Sequence, residues 1–281
     1  VDTHQADHGQ EYAHTYTSTT DAGTATVAKT GTVTSEGNKP VLNLKTQNYT
    51  YDLSADAKDK AGTLEYDDST GTSTFDHTYT TTNANNGTAT VATAGKVQQA
   101  GNNLVLNIDA QHYAFGISPA TKNQDTFLTS TNTGATKINS DDVTLDDSAL
   151  AGKLLSLSKG DNVYLLKDRT GTLTYTGTNG DAQTLNHTYT NTDGTATVKT
   201  HAKVQAKDND LVLNVDAQNY TFDVTPATKN QDVYLTSTNT GTTKIDSTDM
   251  AFDTSATTGN MLSLNKGDTV YLLKNDTTTG T

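Results

Sequence analysis

Residues 159–172 read KGDNVYLLKDRTGT, and residues 266–281 read KGDTVYLLKNDTTTGT. Catalysis needs one constellation of unlike groups, whereas architecture is often built from duplicated wording, so the echo points to a structural repeat. Working outward from it, residues 113–167 align with residues 220–274 without a gap at about two-thirds identity, the mark of tandem duplication. PATKNQD begins at Pro119 and at Pro226, and LTSTNTG at Leu128 and Leu235. A second set of words occurs three times. HTYT starts at His14, His77 and His187, and GTATV at Gly23, Gly87 and Gly194. VLNLKTQNYTYDL from Val41 is echoed by VLNIDAQHYAFGI from Val105 and VLNVDAQNYTFDV from Val212. The chain therefore reads as one continuous array of three copies: a short first copy over 1–75, a second over 76–185 and a third over 186–281.

Composition narrows the class. Only 32% of the 281 residues are hydrophobic, low for a globular enzyme of this length, and Thr, Asn, Asp and Gly fill the gap. A net charge of -13 argues against nucleic acid, whose phosphates need Lys and Arg, and against docking on anionic lipid. No apolar run is long enough for a membrane span, and neither a start Met nor a signal peptide opens the sequence, which reads as a piece of something longer. The absence of Cys excludes disulfides and thiol chemistry and suits an exported protein.

The local pattern is all-β. In LVLNVDAQNYTFDV, Leu211, Leu213 and Val215 share one face by period two, and Tyr220, Phe222 and Val224 do so after a polar break. The same reading puts Leu104, Leu106 and Ile108 inward in the second copy. Tetrads such as TNTG, NKGD and NTDG are turn chemistry, and no window carries a helical apolar stripe.

Two architectures suit such a repeat: a right-handed parallel β-helix (a solenoid), or tandem immunoglobulin-like β-sandwiches. The His of HTYT recurs after 63 positions and then after 110, so the first copy is shorter by 47, and what it lacks is the whole block from PATKNQD to VYLLK. A sandwich would lose its core with that piece, whereas a solenoid loses only whole coils, so the spacing predicts the solenoid with the block as a removable pair of coils.

The stretch YTFDVTPATKNQDVYLTSTNTGTTKIDSTDMAFDTSATTGNMLSLNKGDTVYLLK from Tyr220 resembles repeats in the passenger regions of bacterial autotransporter (type V secreted) surface proteins. The shared wording is a Y-x-F strand, a Pro, N-x-D before a strand, a G-x-T-K-I-type turn and G-D-x-V-x-L-L; it covers both long copies and the outer parts of the first. The resemblance implies a parallel β-helix exported across the outer membrane and displayed on the bacterial cell surface, usually in adhesion.

Signals for chemistry are sparse. No G-x-S-x-G elbow, P-loop or G-D-S-G serine turn occurs, so an enzyme is not expected and no cofactor is implied. His4 and His8, four apart with Asp2, Asp7 and His14 nearby, could chelate a divalent metal if helical, but the segment has no apolar face. Paired Asp residues at 67–68, 141–142 and 146–147 lack any calcium-loop spacing and read as solvated turns. His14, His77 and His187 occupy equivalent positions and read as strand residues packed between repeats, with a pH-sensitive row as the sharper alternative. Tyr49, Tyr113 and Tyr220, with Tyr16, Tyr79 and Tyr189, recur in the same way. They could form an aromatic ladder that binds sugar rings or a partner protein, or serve in ordinary packing with the phenol reaching solvent. The expectation is a non-enzymatic, extracellular stalk or presentation scaffold of a repetitive adhesin, with self-association and surface glycans or proteins as candidate partners. The alternatives are a lectin-like glycan-binding module and an immunoglobulin-like repeat of a Gram-positive fibrillar adhesin.

Overall fold

The structure, a computed structural model, describes residues 10–36, 39–53, 66, 73–101, 103–168, 170–177, 182–193, 195–239 and 243–275. It is all-β. In the first copy, β1 (Glu11–Thr20), β2 (Gly23–Glu36) and β3 (Lys39–Leu53) form an antiparallel meander. In the second, β4 (Thr74–Thr82), β5 (Thr88–Ala100) and β6 (Asn103–Gly116) are ordered in the same way. The block that the first copy lacks follows β6. It carries β7 (Thr126–Ser130), β8 (Ala135–Asn139), β9 (Val143–Asp146) and β10 (Asn162–Asp168), and β11 (Thr172–Thr176) comes after it. The third copy repeats the meander as β12 (Thr184–Thr190), β13 (Ala196–Lys207) and β14 (Asp210–Asp223). Its own block supplies β15 (Val233–Ser237), β16 (Met250–Asp253) and β17 (Tyr271–Asn275). Residues 1–72 with 97–106 make one compact unit, and residues 73–96 with 107–281 make a second.

The expected stack of parallel coils does not appear among the described residues. The reason lies in the turns. Asp208 and Asn209 both take positive φ, 51° and 66°, the backbone of a two-residue hairpin turn, which can only reverse the chain. The strands it joins are 12 and 14 residues long and antiparallel throughout, with a bulge at His201/Ala202. Thr and Val recur along both, with Tyr220 and Phe222 in the second, residue types that suit a pleated surface. Parallel pairing is confined to the blocks and the segments they touch: β7 with β10, β8 with β11, β9 with β6, β15 with β17 and β16 with β14. Tandem immunoglobulin-like beads fail for a different reason: each bead would own its core, yet Phe115 of the second copy and Leu213 of the third belong to one cluster.

How one phrase is packed depends on which blocks lie beside it. The block touches two copies. Near its start, Phe127 of β7 meets Phe115 edge-on with centroids 5.9 Å apart, and at its middle β9 pairs with Tyr113–Gly116 of β6. The close approach of Phe127 needs a glycine at 87, because a Cβ there would lie 2.5 Å from the Phe127 ring. At its end, β10 pairs antiparallel with the first half of β14, Val163 opposite Leu213 and Asn162 opposite Asn214. So β14, paired with β13 along one edge and with the preceding and following blocks on successive halves of the other, buries Leu211, Leu213 and Val215 completely, at 0% exposure. The second copy has only the following block. Tyr113 and Phe115 are buried, Leu104 and Leu106 are half-buried, and Ile108, expected inward, is 48% exposed. The first copy has neither, and Leu42 and Leu44 of β3 are 44% and 55% exposed. The block is thus a shared wall rather than a removable pair of coils.

The KGD of the repeated phrase marks the place where the block reaches the next copy. Gly160 turns the chain with φ 91°, and the Asp161 carboxylate accepts the Ser158 N–H at 2.8 Å to close the turn. The turned backbone then exchanges two hydrogen bonds with Val215: Gly160 N–H to the Val215 carbonyl (2.8 Å) and Val215 N–H to the Asp161 carbonyl (3.0 Å).

Candidate functional site

The tyrosine ladder divides into a buried and an exposed set. Tyr113 and Tyr220 are core residues, stacked on Phe115 and Phe222 with centroids 6.4 and 6.3 Å apart. As sugar-binding residues they are corrected: a following block covers each, so neither ring face is open to a ligand. Tyr189 is half-buried beside the core cluster of the third copy. Tyr16, Tyr49 and Tyr79 are exposed. In the first copy, Tyr16, Val27 and Tyr49 lie directly opposite one another across β1, β2 and β3, with Tyr51 two residues on from Tyr49 on the same face. This is the one part of the expected ladder whose rings stand together and open. Its counterpart in the third copy, Tyr189–Val198–Tyr220, is packed, because a block covers it.

A polar relay ties the buried tyrosines to their surroundings, and the sequence reading missed it. The Tyr220 hydroxyl donates to Gln218 Oε1 at 2.7 Å. Gln218 Nε2 in turn donates to the Leu157 carbonyl of the preceding block (3.1 Å) and to Thr200 Oγ1 (3.0 Å). His187 does the same from β12, its Nε2–H donating to the Lys153 carbonyl at 2.7 Å. In the second copy, Tyr113 still donates to Gln111 (2.7 Å), but among the described residues Gln111 reaches only Thr93 (3.1 Å), and His77 is exposed. In the first copy, Gln47 turns back on the Tyr49 hydroxyl and His14 is exposed. The three histidines are therefore not one row: burial follows the blocks. The signal for this relay was legible as the Gln-x-Tyr spacing common to all three copies, at 47, 111 and 218.

Burial, and then the Asp142 and Asp249 charges, push the Tyr113 and Tyr220 phenols up to about 12. Because the folded state holds these protons more tightly than the unfolded chain, their contribution to stability is complete below pH 10. It is lost as pH rises from about 10 to about 12. In an ultraviolet titration these two are expected to ionise among the last of the 13 tyrosines, and Tyr220→Phe should remove one such late step. A titration in which Tyr220→Phe instead removes an ordinary phenol near pH 10 would place Tyr220 on the surface.

His4, His8, Asp67 and Asp68 lie outside the described residues. The other paired Asp residues are structural. Asp142 accepts the Asn139 N–H (3.2 Å) at the start of a 3-10 turn, and Asp146 accepts the Ser148 N–H (2.9 Å) at the start of another. Hydrogen bonds from Ser148 hold the Asp146 carboxyl below its ordinary range. On the outer face of the third copy, His201 Nδ1 meets Asp216, whose other oxygen lies 3.7 Å from Lys203 Nζ, a surface charge cluster. No group of three or more His, Asp or Glu side chains converges as metal ligands among the described residues. Compared with known proteins, the chain matches no family model, no curated protein and no solved structure.

Proposed function

We propose that the chain is a non-enzymatic, extracellular segment of a repetitive, outer-membrane-anchored bacterial surface adhesin, acting as a stalk or presentation scaffold. The observation that carries this reading is the shared block. Leu155, Leu157, Val163 and Leu165 of the block are buried against the next copy, so the second and third copies fuse through one core instead of hinging as beads. Hydrophobic walls shared between neighbours give stiffness along an array, and adding a repeat lengthens it without a new domain boundary. The Thr- and Asp-rich exterior and the absence of Cys suit an exported surface segment. Antibodies raised against the purified chain are expected to label intact cells of the source bacterium and to lose that label after external protease. Labelling that needs permeabilised cells overturns the surface assignment.

A second reading, direct glycan binding, is favoured by one observation: Tyr16, Tyr49 and Tyr51 share the open face of β1–β3. Aromatic faces stack on sugar rings through their apolar undersides. Binding on a glycan array that disappears in Tyr16→Ala and Tyr49→Ala, and persists in Tyr79→Ala, would make the chain a lectin rather than a passive scaffold.

A further inference from the structure

The internal junction between the 119–167 block and the third copy has two halves, and each half recurs elsewhere in the chain without its mate among the described residues. The first half is the end of a block. In β10 both edges are used, with β7 on one side and β14 on the other. Its counterpart β17 pairs with β15 alone. The side chains agree. Leu155, Leu157, Val163 and Leu165 are buried in the junction, while their counterparts Leu262, Leu264, Val270 and Leu272 are partly exposed, and Met261 beside them is 89% exposed. The second half is the receiving face of a copy. In the third copy, Val215, Gln218 and His187 are covered, and Asp249 and Asp246 receive Lys159 Nζ at 2.8 and 3.2 Å. In the second copy the counterparts of the first three, Ile108, Gln111 and His77, are exposed. Asp142 stands where Asp249 stands.

We propose that these halves join between molecules: the 260–275 segment of one chain docks on β6 of a second copy, repeating the junction already built inside each chain. The occupant is a second copy because the receiving face asks for the wording that block carries. Thr269 then lies opposite Asn107, as Asn162 lies opposite Asn214. Lys266 reaches Asp142 as Lys159 reaches Asp249, the Leu264 carbonyl accepts from Gln111, and the Asn260 carbonyl accepts from His77. The β17 edge gains the strand partner that β10 has, and Val270 and Leu272 lose their water, the term that drives association. The two patches differ, so the contact is heterologous and does not close on itself, and chains add head to tail. This inference stands on the internal junction and holds whether or not the chain serves as an adhesin scaffold.

The lack of native Cys makes the register directly testable. Directly opposed residues of an antiparallel pair sit at a separation a disulfide spans. Asn162→Cys/Asn214→Cys in one chain is the positive control and should close within the molecule. Mixing an Asn107→Cys chain with a Thr269→Cys chain under mild oxidation is expected to give a mixed disulfide dimer whose yield rises with chain concentration. Lys266→Glu in the second partner, an exposed change that leaves the core alone, should lower that yield several-fold. In sedimentation velocity, the unmodified chain should gain mass with concentration. A mixed yield no higher than that of an exposed Ser35→Cys control overturns the proposal. So does a cross-link that forms only inside an Asn107→Cys/Thr269→Cys double variant, independent of concentration, or a monomer mass that persists up to about 1 mM chain.

Discussion

Excision of residues 119–167, which gives the second copy the layout of the first, is expected to abolish cooperative folding of the unit formed by 73–96 and 107–281. The block contributes ten of the 21 buried residues in the main core cluster: Phe127, Leu128, Ile138, Val143, Leu150, Leu155, Leu157, Val163, Leu165 and Leu166. At about 1.5–3 kcal/mol for each buried side chain, that loss exceeds the 5–15 kcal/mol by which a domain is normally stable. It also bares both neighbours, Phe115 on one side and Leu211, Leu213 and Val215 on the other. Circular dichroism should show a large loss of strand signal, and the product should aggregate or bind a hydrophobic dye. A monomer that keeps native strand signal per residue and melts cooperatively would show that the block is a dispensable coil, as the spacing alone predicts.

The second large effect is a gradient across one word. Leu42, Leu106 and Leu213 occupy the same place in VLNL, VLNI and VLNV. Leu213→Ala is expected to lower the unfolding free energy by about 2–5 kcal/mol, the cost of a cavity in a filled core. Leu42→Ala should change it by no more than about 0.5 kcal/mol, as for a surface site. Leu106→Ala should fall between the two, since the residue is half-buried. Urea unfolding followed by tyrosine fluorescence measures all three, each referred to the transition of the unit that holds the residue. Equal costs at the three positions would mean that the first copy is covered as fully as the third, and would remove the basis for the docking face on β6.

What the sequence determined by itself was local and periodic. Alternation in LVLNVDAQNYTFDV, Thr- and Tyr-rich runs and Asn/Asp/Gly turns establish strands, and Leu211, Leu213 and Val215 do point inward as their period two requires. The duplicated KGD phrase locates the junction between copies, because a turn that must deliver a strand to its neighbour needs a glycine at φ 91° and an Asp to close it. Tertiary structure alone decided how the strands were joined and which copies of a word were buried. Alternation is the same in a parallel coil and an antiparallel hairpin, so the direction of pairing rested on the backbone signs of Asp208 and Asn209, which the residue types permit without requiring. Burial is a property of what lies opposite. Tyr49, Tyr113 and Tyr220 share a sequence context, yet Tyr49 is exposed where the others are core, because burial at this position requires a following block. The candidate site inherits that rule: a face is open for binding only where the repeat pattern leaves out the block that elsewhere covers it.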